Sequence, residues 1–201
     1  MTTHTRVLGI TGGIGSGKSV VAECLHIMGI PIYNCDNEAK RLNHTHPDIR
    51  KGLTQLLGED IYTPEGLLNK EKLANYLFAS PSHAAQVNAI IHPCVKEDFI
   101  QWKERQHTPW VAIESAILYE SGFETLADKV ATVYAPEETR ILRAIRRDQS
   151  SPEAIRQRIA RQTPDEEKCK MADYTIFNDN IHPILPQILD ILANLLCLSQ
   201  K

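Results

Sequence analysis

No run of about 18 apolar residues occurs in this 201-residue chain, so a membrane-spanning helix is not expected. The start, MTTHTRVLGIT, lacks a long apolar signal segment, and the expected compartment is the cytoplasm. No Cys-x-x-Cys spacing occurs among Cys24, Cys35, Cys94, Cys169 and Cys197. Such an odd, scattered set reads as reduced thiols, not as a disulfide framework or a zinc site. Positive charge is not in excess: the formal net charge is -3, which argues against a general nucleic-acid partner. Internal repeats and low-complexity linkers are missing too. The 42% apolar and 23% charged residues that make up the rest describe a soluble globular protein, one sizeable domain with room for small insertions.

The strongest positive feature is LGITGGIGSGKSVVAE, Leu8 to Glu23. Its core fits Gly-x-x-x-x-Gly-Lys-Ser from Gly12 to Ser19, between a strand pattern (RVLGIT) and a helix pattern (KSVVAECLHIM) that Gly29 closes. Phosphates need many donors close together. Glycines let the chain curl until successive N–H groups converge, and the following helix adds the positive end of its dipole. Gly13, Ile14, Gly15, Ser16, Gly17 and Val20 are therefore expected around the phosphates. Lys18 is expected on the β- and γ-phosphates of ATP, and the Ser19 hydroxyl on Mg2+.

PIYNCD reads as a second strand ending at Asp36, and WVAIES, KVATVYA and YTIFN as three more. Helical stretches between them predict an α/β fold with a five-stranded parallel sheet and helices on both faces. ILPQILDILANLLCLSQK has helical apolar spacing and reads as a docked C-terminal helix. The expected organisation is a nucleotide-binding core at 1–46, 108–135 and 172–201, a helical insertion at 47–107, and an Arg-rich lid at 136–171.

Ligands of open α/β sheets bind outside the carboxyl ends of the strands. Asp36 at such an end either takes a proton from a substrate hydroxyl, or it or Asn37 caps the helix beginning NEAKRL; the two roles are compatible. Arg140, Arg143 and Arg147 share a helix face. That face is either a solvated surface or a lid over a triphosphate, with Arg143 and Arg147 the favoured phosphate contacts. Glu114 ends the third strand and either helps hold Mg2+, contacts substrate or is structural. His92, in the helical stretch, is a structural residue or a substrate contact. His44 and His46 read as loop or helix-end sequence.

Taken in order, these segments resemble the dephospho-coenzyme A kinase family. MGIPIYNCD is similar to the family's Gly-x-x-x-x-x-x-Asp approach to its catalytic aspartate, and NAIIHPCV to its Ile-x-His-Pro. AILYESG, ETRILRAIRRD, RIARQ and MADYTIFND are similar to four further family segments. The resemblance runs from about residue 8 to 180. It implies transfer of the γ-phosphate of ATP to the ribose 3'-hydroxyl of dephospho-coenzyme A, the last step of coenzyme A synthesis. On that basis Asp36 is the base or hydroxyl-orienting group. The helical insertion binds the acceptor, Arg143 and Arg147 belong to the lid, and Asn178 lies near the ATP base or ribose.

The chain departs from the family at Glu114, where Asp is usual, at Ala116, where Pro is usual, and at Val20, where Thr is frequent. The competing readings are a kinase for another nucleoside, nucleotide or shikimate-like alcohol, and a GTP-binding switch. The switch needs an Asn-Lys-x-Asp motif, which FNDN does not supply. The partner expected is a small molecule, not nucleic acid or membrane. The oligomeric state lies between a monomer and a small homo-oligomer.

Overall fold

The structure, a computed structural model, describes residues 5–199. Five strands, β1 (Arg6–Thr11), β2 (Ile32–Asn34), β3 (Trp110–Glu114), β4 (Lys129–Tyr134) and β5 (Tyr174–Phe177), form one parallel sheet in the order β2-β3-β1-β4-β5. The central strands β1 and β3 are almost wholly buried. This is the burial that covering both faces of a parallel sheet requires.

Helices α1 (Lys18–Ile27) and α9 (Ile184–Ser199) cover one face. Val21, Ala22 and Leu25 of α1 and Ile188, Ile191 and Leu195 of α9 join Leu8, Ile10, Ala112, Ala131, Val133 and Ile176 in the main core. The expected C-terminal helix is thus docked, and the Trp110 indole N–H fastens it by donating to the Leu195 carbonyl at 3.0 Å. On the opposite face the chain after β3 passes close over β1. A Cβ at Gly9 would lie 2.9 Å from Leu118 and 3.3 Å from Ala127, so a larger side chain there would lift this layer off the sheet. Helix α8 (Asp165–Met171) lies against β4, where the Thr132 hydroxyl donates to the Lys168 carbonyl.

The molecule divides into two compact units. The sheet unit comprises the chain up to Asn34 and from Glu104 onward. It includes α6 (Glu137–Asp148) and α7 (Pro152–Ile159). The second unit, Cys35–Lys103, is helical: α2 (Cys35–Thr45), α3 (Pro47–Leu57), α4 (Lys70–Ala79) and most of α5 (Pro81–Glu104). It opens at Cys35, upstream of the position 47 expected for the insertion, because α2 is tied to later residues of this unit. The Tyr62 hydroxyl donates to the Asn43 carbonyl at 2.8 Å, and Arg41 pairs with Asp98 of α5 at 2.7 Å.

The structure corrects the end of the second strand and the place of Asp36. The second strand stops at Asn34 rather than Asp36. Its partner β3 ends at Glu114, which pairs with Asn34, so Cys35 has no ladder partner and the chain turns directly into α2. Asp36 therefore sits in the first turn of that helix, not at a strand end and not at a cap. Pro93 lies inside the single long helix α5, at the cost of one main-chain hydrogen bond. Among the described residues no helix is long and apolar enough to cross a membrane.

Candidate active site

β1 delivers the chain into the loop Gly12–Gly17, and α1 starts at Lys18. Gly15 and Gly17 have φ of 79° and 97°, a left-handed conformation that side chains disfavour. Gly17 has a second reason to be glycine: a Cβ there would lie 2.1 Å from the Asn178 amide nitrogen. That amide donates to the Ser16 carbonyl at 2.7 Å, so Asn178, just past β5, braces the loop. The Lys18 ammonium donates to the Gly12 and Gly13 carbonyls at 2.9 and 3.2 Å. The first turn of α1 carries no acidic residue, which leaves its positive dipole end for an anion.

At the same helix end the Ser19 hydroxyl donates to Glu114 Oε1 at 3.3 Å. The other carboxylate oxygen accepts from the Asn34 amide at 2.6 Å. Glu114 is 6% exposed, so these contacts replace most of its water. Hydroxyl and carboxylate oxygens are the ligands Mg2+ prefers. The donor set at Ser19 and Glu114 therefore fits that ion. Among the described residues no cluster of three or more His, Cys, Asp or Glu could hold a metal. An ion here would take its remaining oxygens from substrate phosphates and water.

The loop tip is gripped from the α6–α8 segment. The Ile14 N–H donates to Gln162 Oε1 at 3.0 Å, and the Gln162 amide donates to the Ala116 carbonyl at 3.3 Å. The Ile14 side chain packs on a small core of Ile141, Ala144 and Ile155 from α6 and α7. Beside Gly13, the buried Arg140 meets Asp165 at 3.1 Å, and its Nε also donates to the Ala135 carbonyl. Burial pushes the Asp165 carboxyl above the usual range, against the pull of Arg140, Lys168 and Lys18. Lys168, fully buried, donates to the Ala116 carbonyl at 2.9 Å and pairs with Glu120 at 3.2 Å.

The sheet unit thus brings together Lys18, Ser19, Glu114, Asn178 and the loop residues Gly13 to Gly17. Val20 is exposed at the head of α1. Arg143 reaches the Asn178 carbonyl at 3.0 Å and Asn180 Oδ1 at 2.7 Å. Arg147 stands apart, its side chain 61% exposed and paired with Asp148. Asp36 and His92 belong to the helical unit. Asp36 is exposed, and His92 is half-buried in α5. Burial, and secondarily Lys96, lowers the His92 pKa, which keeps the imidazole neutral at pH 7. Sequence reasoning did not single out Asn34, Asp165 or Lys168, and it noted Arg140 and Gln162 without assigning them a role. RIARQ pointed at Gln162, but nothing local marked Asn34 or Asp165.

A loop that can curl round phosphates, a lysine at its end, a helix dipole and an oxygen-ligand pair make a site suited to a nucleoside triphosphate. Comparison with known proteins narrows the chemistry. The family model CoaE, dephospho-CoA kinase, matches residues 6–183. Dephospho-CoA kinase from Bacteroides fragilis (strain YCH46) is 53% identical over 187 residues, 92% of this chain and 91% of that one. The enzyme of the same name from Porphyromonas gingivalis is 47% identical over 186 residues, 92% of each chain. The solved structure of TT1252 from Thermus thermophilus superposes with a TM-score of 0.82 at 31% identity, over 96% of this chain and 97% of that one. Shikimate kinase from Acinetobacter baumannii, with a TM-score of 0.54 at 18% identity over 99% of this chain and 96% of that one, shares the fold alone. The chain is therefore a small-molecule kinase, and it belongs to the dephospho-CoA kinase family.

Proposed function

We propose that this kinase transfers the γ-phosphate of ATP to the ribose 3'-hydroxyl of dephospho-coenzyme A, giving coenzyme A and ADP in the cytoplasm. The family match over residues 6–183 supports the acceptor, and the observation that carries the phosphoryl transfer is the hydrogen bond of Ser19 to Glu114 at the end of the phosphate loop. It puts oxygen ligands for a divalent cation next to the lysine and amides suited to the phosphates.

In this reading the loop amides and Lys18 hold the β- and γ-phosphates, with Lys18 leaving the Gly12 and Gly13 carbonyls for phosphate oxygens. Ser19 and Glu114 hold Mg2+, which when bound neutralises phosphate charge. The helical unit binds the acceptor, with His92 as a neutral hydrogen-bonding contact. Asp36 takes the 3'-hydroxyl proton as that oxygen bonds to the γ-phosphorus and the bond to the bridging β-γ oxygen breaks. Arg143 and Arg147 stabilise charge on the transferring group, and Asn178 lies beside the bound nucleoside. Closure of the α6–α7 segment over the site excludes water and limits hydrolysis.

The test is incubation with Mg-ATP and a panel of hydroxyl acceptors, with product identification by NMR. A 3'-phosphorylated coenzyme A product is expected; turnover of another alcohol with none of this one overturns the assignment. Asp36→Asn should keep ATP affinity and lose about 10²- to 10⁴-fold in turnover. Near-normal turnover removes Asp36 from the base role.

A further inference from the structure

We infer that Asn34 is a positioning residue for the metal edge of this site: it clamps Glu114 so that the other carboxylate oxygen stays on the Ser19 hydroxyl. The inference rests on the reading that Ser19 and Glu114 hold Mg2+, and it concerns how this chain keeps Glu114 aimed.

The contact is built by the sheet. In the parallel ladder Asn34 pairs with Glu114 on one side, and Ile10 of β1 pairs with Glu114 on the other. Residues paired in register present their side chains on the same face, so the Asn34 amide is delivered to the Glu114 carboxylate without a loop having to carry it. The 2.6 Å separation is that of a charge-assisted hydrogen bond. Ser19 Oγ holds the opposite oxygen at 3.3 Å. The carboxylate is thus fixed at both ends, with the closer hold on the side of Asn34.

Glutamate needs this hold. It has one more rotatable bond than aspartate, so fixing its carboxylate removes more conformational freedom. Without a second anchor its carboxylate could swing away from the helix end. Asparagine is suited to the task because it donates a hydrogen bond without adding charge. A carboxylate at 34 would repel Glu114, and an ammonium would compete with the metal for it. Hydrogen bonds from outside the ligand shell typically alter metal affinity by about 10- to 100-fold.

The experiment measures Mn2+ binding to the protein–ADP complex by electron paramagnetic resonance, alongside ADP affinity in EDTA and thermal unfolding. Asn34→Ala should weaken Mn2+ binding about tenfold while leaving metal-free ADP affinity within about twofold. Asn34→Leu, which keeps the branched side-chain skeleton without the donor, should do the same and guards against a packing defect in the alanine variant. Glu114→Gln should weaken Mn2+ at least as much, and adding Asn34→Ala to it should cause no further loss, because the group being positioned has lost its charge. Wild-type Mn2+ affinity in both Asn34 variants, or a loss that adds fully to that of Glu114→Gln, overturns the role of Asn34. Unchanged Mn2+ affinity in Glu114→Gln overturns the premise and the inference with it. A nucleotide complex that binds no Mn2+ even in the wild-type protein overturns the reading of the site itself.

Discussion

Among the ion pairs of the segment from α6 to α8, those of Arg140 and of Asp148 differ in their access to water. Arg140 and Asp165 meet with side chains 6% and 3% exposed. Arg147 and Arg158 both meet Asp148, at 2.6 and 2.7 Å, but the two guanidinium groups are 61% and 43% exposed. Arg140 and Arg147 lie on one helix two turns apart. Taking charges out of water makes the first pair obligatory, since neither partner can lose the other without leaving a buried charge. Exposed pairs are worth between nothing and about 1 kcal/mol. Their arginines can leave Asp148 for a better anion at little cost. The buried pair is fit to be scaffold beside Gly13, and the exposed pairs are fit to be machinery.

The largest expected effect breaks the scaffold side. Arg140→Met leaves Asp165 buried without its closest cation and should lower folding stability by about 3–5 kcal/mol, read from urea unfolding. Arg140→Met with Asp165→Leu should recover most of that loss, because two apolar side chains need no charge compensation. A single variant that costs under about 1 kcal/mol would erase the distinction between the two pairs.

The machinery side should respond in the opposite sense. Arg147→Met should move stability by no more than about 0.5 kcal/mol. Its turnover should fall about 10²-fold, the scale on which one donor to developing transition-state charge matters. Steady-state kinetics and urea unfolding on the same sample check both halves. A variant that unfolds easily but turns over normally would reverse the assignment.

This contrast also marks where sequence reading stops. β1, the glycine loop and α1 were legible because their signals are local: a short apolar strand, glycines at fixed spacing, then helical periodicity. Helical periodicity also put Arg140 and Arg147 on one face. It carries no information on how far along that face the neighbouring elements extend, and that decides which arginine is buried. Asp165 lies beyond a second helix from Arg140, so no spacing rule links them. Asn34 and Glu114 are 80 residues apart, and only the β2–β3 register joins them. The early end of β2 has the same origin, since a strand ends where its partner does. The Arg-Ile-x-x-Gln pattern did mark Gln162, but its grip on the Ile14 N–H depends on the course of α6 and α7.

The smallest effect sharpens the comparison through pH. The hydrogen bond from Arg147, with that from Arg158 behind it, overcomes burial and holds Asp148 at about 2, against an ordinary 3.8. A carboxylate whose folded-state pKa is depressed contributes its stability in full above the unfolded pKa and loses it as pH falls through the folded value. The Asp148 contribution should therefore be complete above about pH 5 and fade between pH 4 and 2. Because its arginine partners stand in water, screening reduces it to about 0.5 kcal/mol. Asp165 runs the other way: burial raises its pKa, so its titration favours the folded state as pH falls and cannot produce an acid loss. Asp148→Asn should accordingly be less stable than wild type at pH 6 by that small amount and equal to it near pH 2, with 1 M salt flattening the difference. The cost of Arg140→Met should persist in 1 M salt, since little salt reaches a pair so deeply buried. If both effects vanish together in salt, the two arginines are not separated by burial in the way that divides scaffold from machinery.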